Sequence, residues 1–354
     1  MSGVRRASAA GLTVARRTFG TAALRSKRSG EPRPPDLWQT RARRWGPVAA
    51  LLILVVAFSL ASPNFFTMAN LQAMADAGAI PCVLVTGMTF VILMGSIDLS
   101  VEGVMASSSC LLALLLKNDR TTLDLGWIGV LATVAVGALF GLANGLISTR
   151  LRVPSFMTTL GMWFVGLGIA AVLFGSQAVV ISDWNFRAIE LTRWAGFSVE
   201  SFIGLAAIAL GVFLERYTRF GRYALAIGGD EGAARTAGIR VDRYRTLVLV
   251  FAGAMSAFAG VMILAKLGMG DSLAGSGDLF ATITAVVVGG TLLMGGSGGI
   301  LRSFVGVLII VVLADGMVQV GVDPEAQEAV QGLLIVCAVA LTQWPLRQRL
   351  AVVK

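Results

Sequence analysis

Apolar runs recur along this chain with polar residues confined to the stretches between them. About 20 apolar residues of helix are needed to cross the hydrocarbon core of a bilayer. Segments at 46–63, 79–95, 100–117, 126–148, 155–175, 199–214, 246–267, 279–294, 303–320 and 327–344 meet or approach that length, and they predict about ten transmembrane helices. The fold class expected is therefore an all-α integral membrane protein, with some helices interrupted. Its transmembrane domain spans 46–345, between an N-terminal tail over 1–45 and a short C-terminal tail over 346–354. Residues 64–78 are only moderately apolar and carry Asp76. They predict either an interfacial helix leading into the second span or the first half of an interrupted one. The stretch 176–198, with Trp184 and Trp194, suits a re-entrant or interfacial element, because amphipathic indole rings favour the membrane boundary.

An even number of spans returns the C-terminus to the side of the N-terminus, and charge tests that parity. With the N-terminus inside, the inner loops fall near 96–99, 149–154, 215–245 and 295–302. These carry Arg150 and Arg152, then seven arginines between Arg216 and Arg245, then Arg302. The outer loops near 118–125, 176–198, 268–278 and 321–326 hold far fewer basic residues. That asymmetry is the positive-inside rule, and it predicts a bacterial inner-membrane protein with both termini cytoplasmic.

Composition supports the same class. Hydrophobic residues make up 56 % of the chain and charged ones 14 %, and the mean hydropathy is +0.79. The 42 glycines are spread through the apolar segments, where small residues let helices approach closely in lipid. The net charge of +9 lies wholly in residues 1–45, which hold eleven basic and two acidic side chains. A basic segment just before the first span reads as a disordered tail near anionic headgroups of the lipid bilayer, not as a nucleic-acid surface. The chain has no histidine, which removes the commonest general base and metal ligand. Cys82, Cys110 and Cys337 fall in apolar segments and read as small buried residues. No catalytic group and no metal site is expected.

Two stretches carry chemistry. In the first, Gly95-Ser96-Ile97-Asp98-Leu99-Ser100-Val101-Glu102, two acids sit between spans with almost no loop to hold them. If this stretch is helical, Asp98 and Glu102 share a face. If it is broken, Asp98 caps the next helix. Contact with a transported molecule is a third reading, and Asp98, Ser100, Glu102, Asn144 and Phe156 are the candidate translocation-pathway residues. Asn144 also suits a hydrogen bond between helices. The second stretch lies in the large inner loop, where 229–237 predicts a short helix. Asp230 and Glu231 would occupy its first turn, where the helix dipole favours negative charge. Ala233, Ala234 and Ala237 favour helix, and Gly238 supplies a C-terminal stop. So small a helix has little of its own to bury and suits a surface docked into another protein.

With these residues in view, the chain resembles the permease subunits of the ribose/xylose/galactose class of ABC importers. The marks run in order: Gly95 to Val101, Gly141 to Leu146, Val153 to Phe156, Thr159 to Gly161, Phe220 to Arg222, Ala226 to Ile239, Ala285 to Thr291 and Gly295 to Gly299. They cover about 46–345. The resemblance implies that Gly228, Gly229, Asp230, Glu231, Ala233, Ala234, Ala237, Gly238 and Ile239 form a cytoplasmic coupling helix seated on a separate ABC ATPase subunit. It further implies a second permease copy or paralogue and a periplasmic substrate-binding protein, with a monosaccharide or polyol moved by alternating access. Glu102 departs from the pattern, standing where the family commonly has glycine. No Gly-x-x-x-x-Gly-Lys-Ser/Thr loop is present, so no cofactor is expected on this chain, and ATP and Mg belong to the partner ATPase. The alternative is an ion-coupled secondary transporter of a small polar solute, which the span count and the ordered marks disfavour.

Overall fold

The computed structural model describes residues 37–337 apart from 324, 328 and 335, with side chains from residue 45 onward. The expectations for residues 1–36, for the end of the tenth segment and for the tail at 346–354 lie outside the described residues. The named helices are α1 (Leu37–Ala61), α2 (Met68–Leu93), α3 (Val101–Leu115), α4 (Gly126–Arg150), α5 (Ser155–Phe174), α6 (Trp184–Leu191), α7 (Val199–Tyr217), α8 (Arg219–Gly229), α9 (Glu231–Thr236), α10 (Val241–Leu267), α11 (Asp278–Val288) and α12 (Ile300–Gln319). Five of them, α2, α4, α5, α10 and α12, are long and apolar enough to cross a membrane. Trp45–Ala61, Val101–Leu115 and Asp278–Val288 are shorter apolar helices.

Several boundaries differ from the sequence expectation, three of them informatively. Helix α1 begins at Leu37, ahead of the expected start at 46, so the last residues of the basic segment are helical rather than disordered. Helix α2 is one continuous helix from an N-cap at Thr67 and is not interrupted near Asp76. Helix α11 stops at Val288 instead of running to 294, because a glycine-rich turn with positive φ at Gly290, Gly295 and Gly296 doubles the chain back. The 176–198 stretch contains α6 and a minimal hairpin of β1 (Arg193–Trp194) and β2 (Phe197–Ser198). Its two turn residues, Ala195 and Gly196, both have positive φ, as a two-residue turn between twisted strands demands.

Helix α2 is the centre of the molecule, with Val83, Val85, Phe90, Val91, Ile92 and Leu93 fully buried. Phe90 meets Phe220 and Phe251 edge-on at centroid separations of 4.9 and 5.7 Å. Around it, glycines set the helix spacing. Gly137, Gly141 and Gly145 form one stripe of α4, and a β-carbon on any of them would fall on Gly253, Leu249 or Thr246 of α10. Residues four apart lie on one face, and in lipid such contacts are driven by van der Waals packing rather than by loss of water. Cys82 and Cys110 are buried as expected, whereas Cys337 is exposed.

Loops expected to share a side meet one another. Asn118 pairs with Ile181, and Val180 with Met269, which joins three of the expected outer loops. At the other end, Ile97, Arg152 and Asp242 line one cavity and so join three of the expected inner loops.

Candidate functional site

Between α2 and α3 the chain is broken at residues 94–100. This excludes the helical reading of Asp98 and Glu102, which face different partners. Asp98 Oδ1 accepts from the Ser100 backbone N–H at 2.8 Å and from the Ser100 hydroxyl at 2.6 Å. Asn144 Nδ2 donates to the same hydroxyl oxygen at 3.0 Å from α4. The break is also laced to α5, since Leu99 N–H donates to Thr159 Oγ1 at 2.9 Å. Asp98, Ser100, Asn144 and Thr159 are all at most 1 % exposed. A buried carboxylate is tolerated at such depth when donors and a helix N-terminus face it.

Glu102 solves the same problem at a different helix. Its Oε1 accepts from the backbone N–H groups of Gly277 and Leu279 at 2.9 and 3.2 Å, capping α11. Helix α12 is capped likewise by Glu215, whose Oε2 accepts from Ile300 N–H at 2.7 Å. Asp76 holds the start of α7 through the hydroxyls of Ser198 and Ser201, at 2.6 and 2.7 Å. Glu102 and Glu215 therefore satisfy free N–H groups at the starts of other helices, whereas Asp76 acts through the serine hydroxyls. Of the five candidate pathway residues, Asp98, Ser100, Glu102 and Asn144 lie in the packed interior, and only Phe156 is open, at 44 % exposure.

The second stretch divides in two. Residues 219–229 form a separate helix, α8, and the short helix expected over 229–237 is confined to α9. Helix α8 is amphipathic: Gly221, Ala224 and Ile227 are buried, a spacing that the sequence carried and that a search for α8 would have found. In its last turn Gly228 lies against the carbonyl of Leu93 and the backbone of Gly296, where no side chain fits. Gly228 is thus a packing residue, whereas Gly229 is open on the surface. Asp230 caps α9, its Oδ1 accepting from Ala233 N–H at 2.9 Å. Gly238 follows with φ of +80°, and Ile239 N–H returns to the Ala234 carbonyl at 3.0 Å. Ala234 is buried beneath the helix, while Ala233 and Ala237 face outward.

Ion pairs brace α9 on α10. Glu231 meets Arg245 at 2.9 Å and Arg235 at 3.0 Å, and Arg235 also meets Asp242 at 2.8 Å. The Arg245 guanidinium, with help from Arg235, holds the Glu231 carboxyl below its ordinary range. The Asp242 carboxylate, and then Glu231, raise Arg235. The sequence counts these arginines only as inner-loop charge; the Arg235–Glu231 pair is local at i, i+4, but the pairs to Asp242 and Arg245 cross to α10. Beside this network opens a cavity of about 620 Å³, which reaches the break at Gly95, Ser96 and Ile97 and the start of α5. The two sequence stretches are therefore walls of one space. Among the described residues no cluster of three metal-ligating side chains occurs.

A profile of the family described as "Branched-chain amino acid transport system / permease component" matches residues 70–339. The L-arabinose transport system permease protein AraH of Escherichia coli (strain K12) is 30 % identical over 316 residues, covering 89 % of this chain and 95 % of that protein. The ribose import permease protein RbsC of Bacillus subtilis (strain 168) is 34 % identical over 302 residues, 84 % of this chain and 92 % of that one. The probable ABC transporter permease protein YphD of Escherichia coli (strain K12) is 34 % identical over 295 residues, with coverages of 83 % and 87 %. No solved structure matches the chain.

Proposed function

The chain belongs to the permease-component family that its residues 70–339 match, and we propose that it is the membrane subunit of an ATP-driven importer of a monosaccharide or polyol. It is a multi-pass membrane protein and a permease rather than an enzyme. ATP, with Mg, is hydrolysed on a separate ATPase subunit, and a periplasmic binding protein delivers the substrate. A second permease copy or a paralogue completes the passage. The monosaccharide class is supported by relatives named for L-arabinose and ribose. The full reading has ten spans in the inner membrane with both termini cytoplasmic, and loop charge together with the meeting of same-side loops supports it.

One observation carries the proposal furthest: α9 is a short helix on the surface, capped at both ends, held to α10 by two ion pairs and stiffened by a third within itself. Its own burial is too slight to fix it, since only Ala234 is covered. Such an element suits force transmission to and from a docked ATPase. Asp98, Ser100, Glu102 and Asn144 then act by holding broken helices at defined angles, and Phe156 alone stands at the open end. An ion-coupled carrier, the other reading, is not favoured by relatives named as ABC permeases.

Reconstitution in proteoliposomes with the cognate ATPase and binding protein tests the proposal. Uptake of a pentose is expected only with ATP and binding protein present. Uptake driven by an ion gradient without them overturns it.

A further inference from the structure

The 620 Å³ cavity beside α9 is more than a gap between loops. Its volume lies in the range of small-molecule sites. Arg152, Arg235 and Arg245 line it together with the hydroxyl-bearing Ser148, Thr149 and Ser155, and Asp242 is its one acidic wall residue. Donors there outnumber acceptors. Arg152 makes no ion pair among the described residues, and the Nε of Arg245 is buried without a partner. Helix α5 opens into the same space with no side-chain cap, and the N–H groups of Ser155 and Phe156 make no backbone hydrogen bond. Guanidinium groups and a helix N-terminus together select a multiply charged oxyanion.

We propose that this cavity binds a phosphate monoester, its dianion taken by Arg152, Arg245 and the first turn of α5, its hydroxyls by Ser148, Thr149 and Ser155. Placement in the cytoplasm rests on the orientation proposed above. There, phosphoryl transfer onto an imported sugar produces such a ligand. Arg245, drawn to the phosphate, is drawn away from Glu231, the carboxylate through which α10 holds α9. The ligand therefore loosens α9 and slows uptake as phosphorylated product accumulates. A phospholipid headgroup offers the same chemistry from the bilayer.

The full-length chain in nanodiscs of zwitterionic lipid, titrated calorimetrically, tests this without any transport assay. Ribose 5-phosphate and inorganic phosphate are expected to bind saturably, and ribose is not. Arg152→Ala, at an exposed loop position, is expected to weaken phosphate binding about tenfold or more, the scale of one charge-assisted hydrogen bond, and Arg152→Lys less. Nanodiscs containing phosphatidic acid that block the soluble probes in an Arg152-dependent way support the same site with lipid as the source. Absence of binding, binding of ribose itself, or indifference to Arg152→Ala overturns the proposal. The importer reading stands or falls separately, on whether uptake needs ATP.

Discussion

Glu102 on α3 accepts a hydrogen bond from the backbone N–H of Gly277 at 2.9 Å, across 175 positions of sequence. A glutamate in an apolar helix is thereby converted into the cap of another helix. Replacing it by glycine, the residue common at this place in the resembled family, leaves the N–H groups of Gly277 and Leu279 unpaired. Glu102→Gly is expected to cost about 2–3 kcal/mol and Glu102→Gln about 1 kcal/mol. Thermal unfolding of the detergent-purified protein measures both, and equal midpoints for the two variants would refute the cap.

Asp98 and Asn144 share one hydroxyl, that of Ser100. Asp98→Ala should destabilise by about 1–3 kcal/mol, and Asp98→Asn, which keeps an acceptor, by less. Because the two residues act through a common atom, Asp98→Ala combined with Asn144→Ala should cost less than the two singles added. A shortfall of about 0.5 kcal/mol or more in a double-mutant cycle is expected; strict additivity speaks against a shared network.

Glycines of the same type in neighbouring helices should respond with opposite signs. A β-carbon at Gly141 would fall on the Leu249 carbonyl, whereas one at Gly161 meets nothing within 4 Å. Gly141→Ala is expected to cost about 1–3 kcal/mol through overpacking. Gly161→Ala should gain about 0.5–1 kcal/mol from helix propensity. The order of their melting midpoints decides the matter.

Glu231 supplies a pH dependence. Its carboxyl is depressed below the ordinary value of 4.5, chiefly by the hydrogen bond from Arg245. A depressed acid contributes stability that is complete above the unfolded value and fades as pH falls through the folded one. The α9 brace should therefore be constant from neutral pH down to about 5 and loosen below 4.5. Amide exchange at Ala233 to Ala237 is the measurement, and Glu231→Gln should abolish the dependence.

The long spans are legible because no charge interrupts them: α4 is uncharged up to Arg150 and α5 throughout, and they are parted by Arg150, Arg152 and Pro154. Residues 64–78 leave two readings open because Asp76 looks like a break, and the continuous α2 agrees with the helix that leads into the second span. Asp76's partners Ser198, Ser201 and Arg193 lie more than a hundred positions away, and no local pattern announces them. The same reason hid the roles of Glu102 and Glu215. Asp98 reads from sequence as a cap, but Ser100 holds the N-cap position of α3; Asp98 Oδ1 closes a local turn onto Ser100, and its Oδ2 is buried without a partner. Asp230 and Gly238 bracket α9 with local signals, so that helix is visible in sequence, while Gly228 and Gly229, expected to share it, form the last turn of α8. Arg235 and Arg245 are visible in sequence only as loop charge, since nothing local marks them as walls of one cavity.

The Glu215 cap has a mechanical meaning. Glu215 belongs to the last turn of α7, and a single residue, Thr218, separates that helix from α8. Gly221 folds back against the Glu215 backbone, while the Glu215 carboxylate grips the root of α12. Helices α7, α8 and α12 thus meet at one knuckle with no slack loop among them. In the coupling proposed above, a displacement of α8 would reach α12 through the Glu215 joint, with no loop between to absorb it.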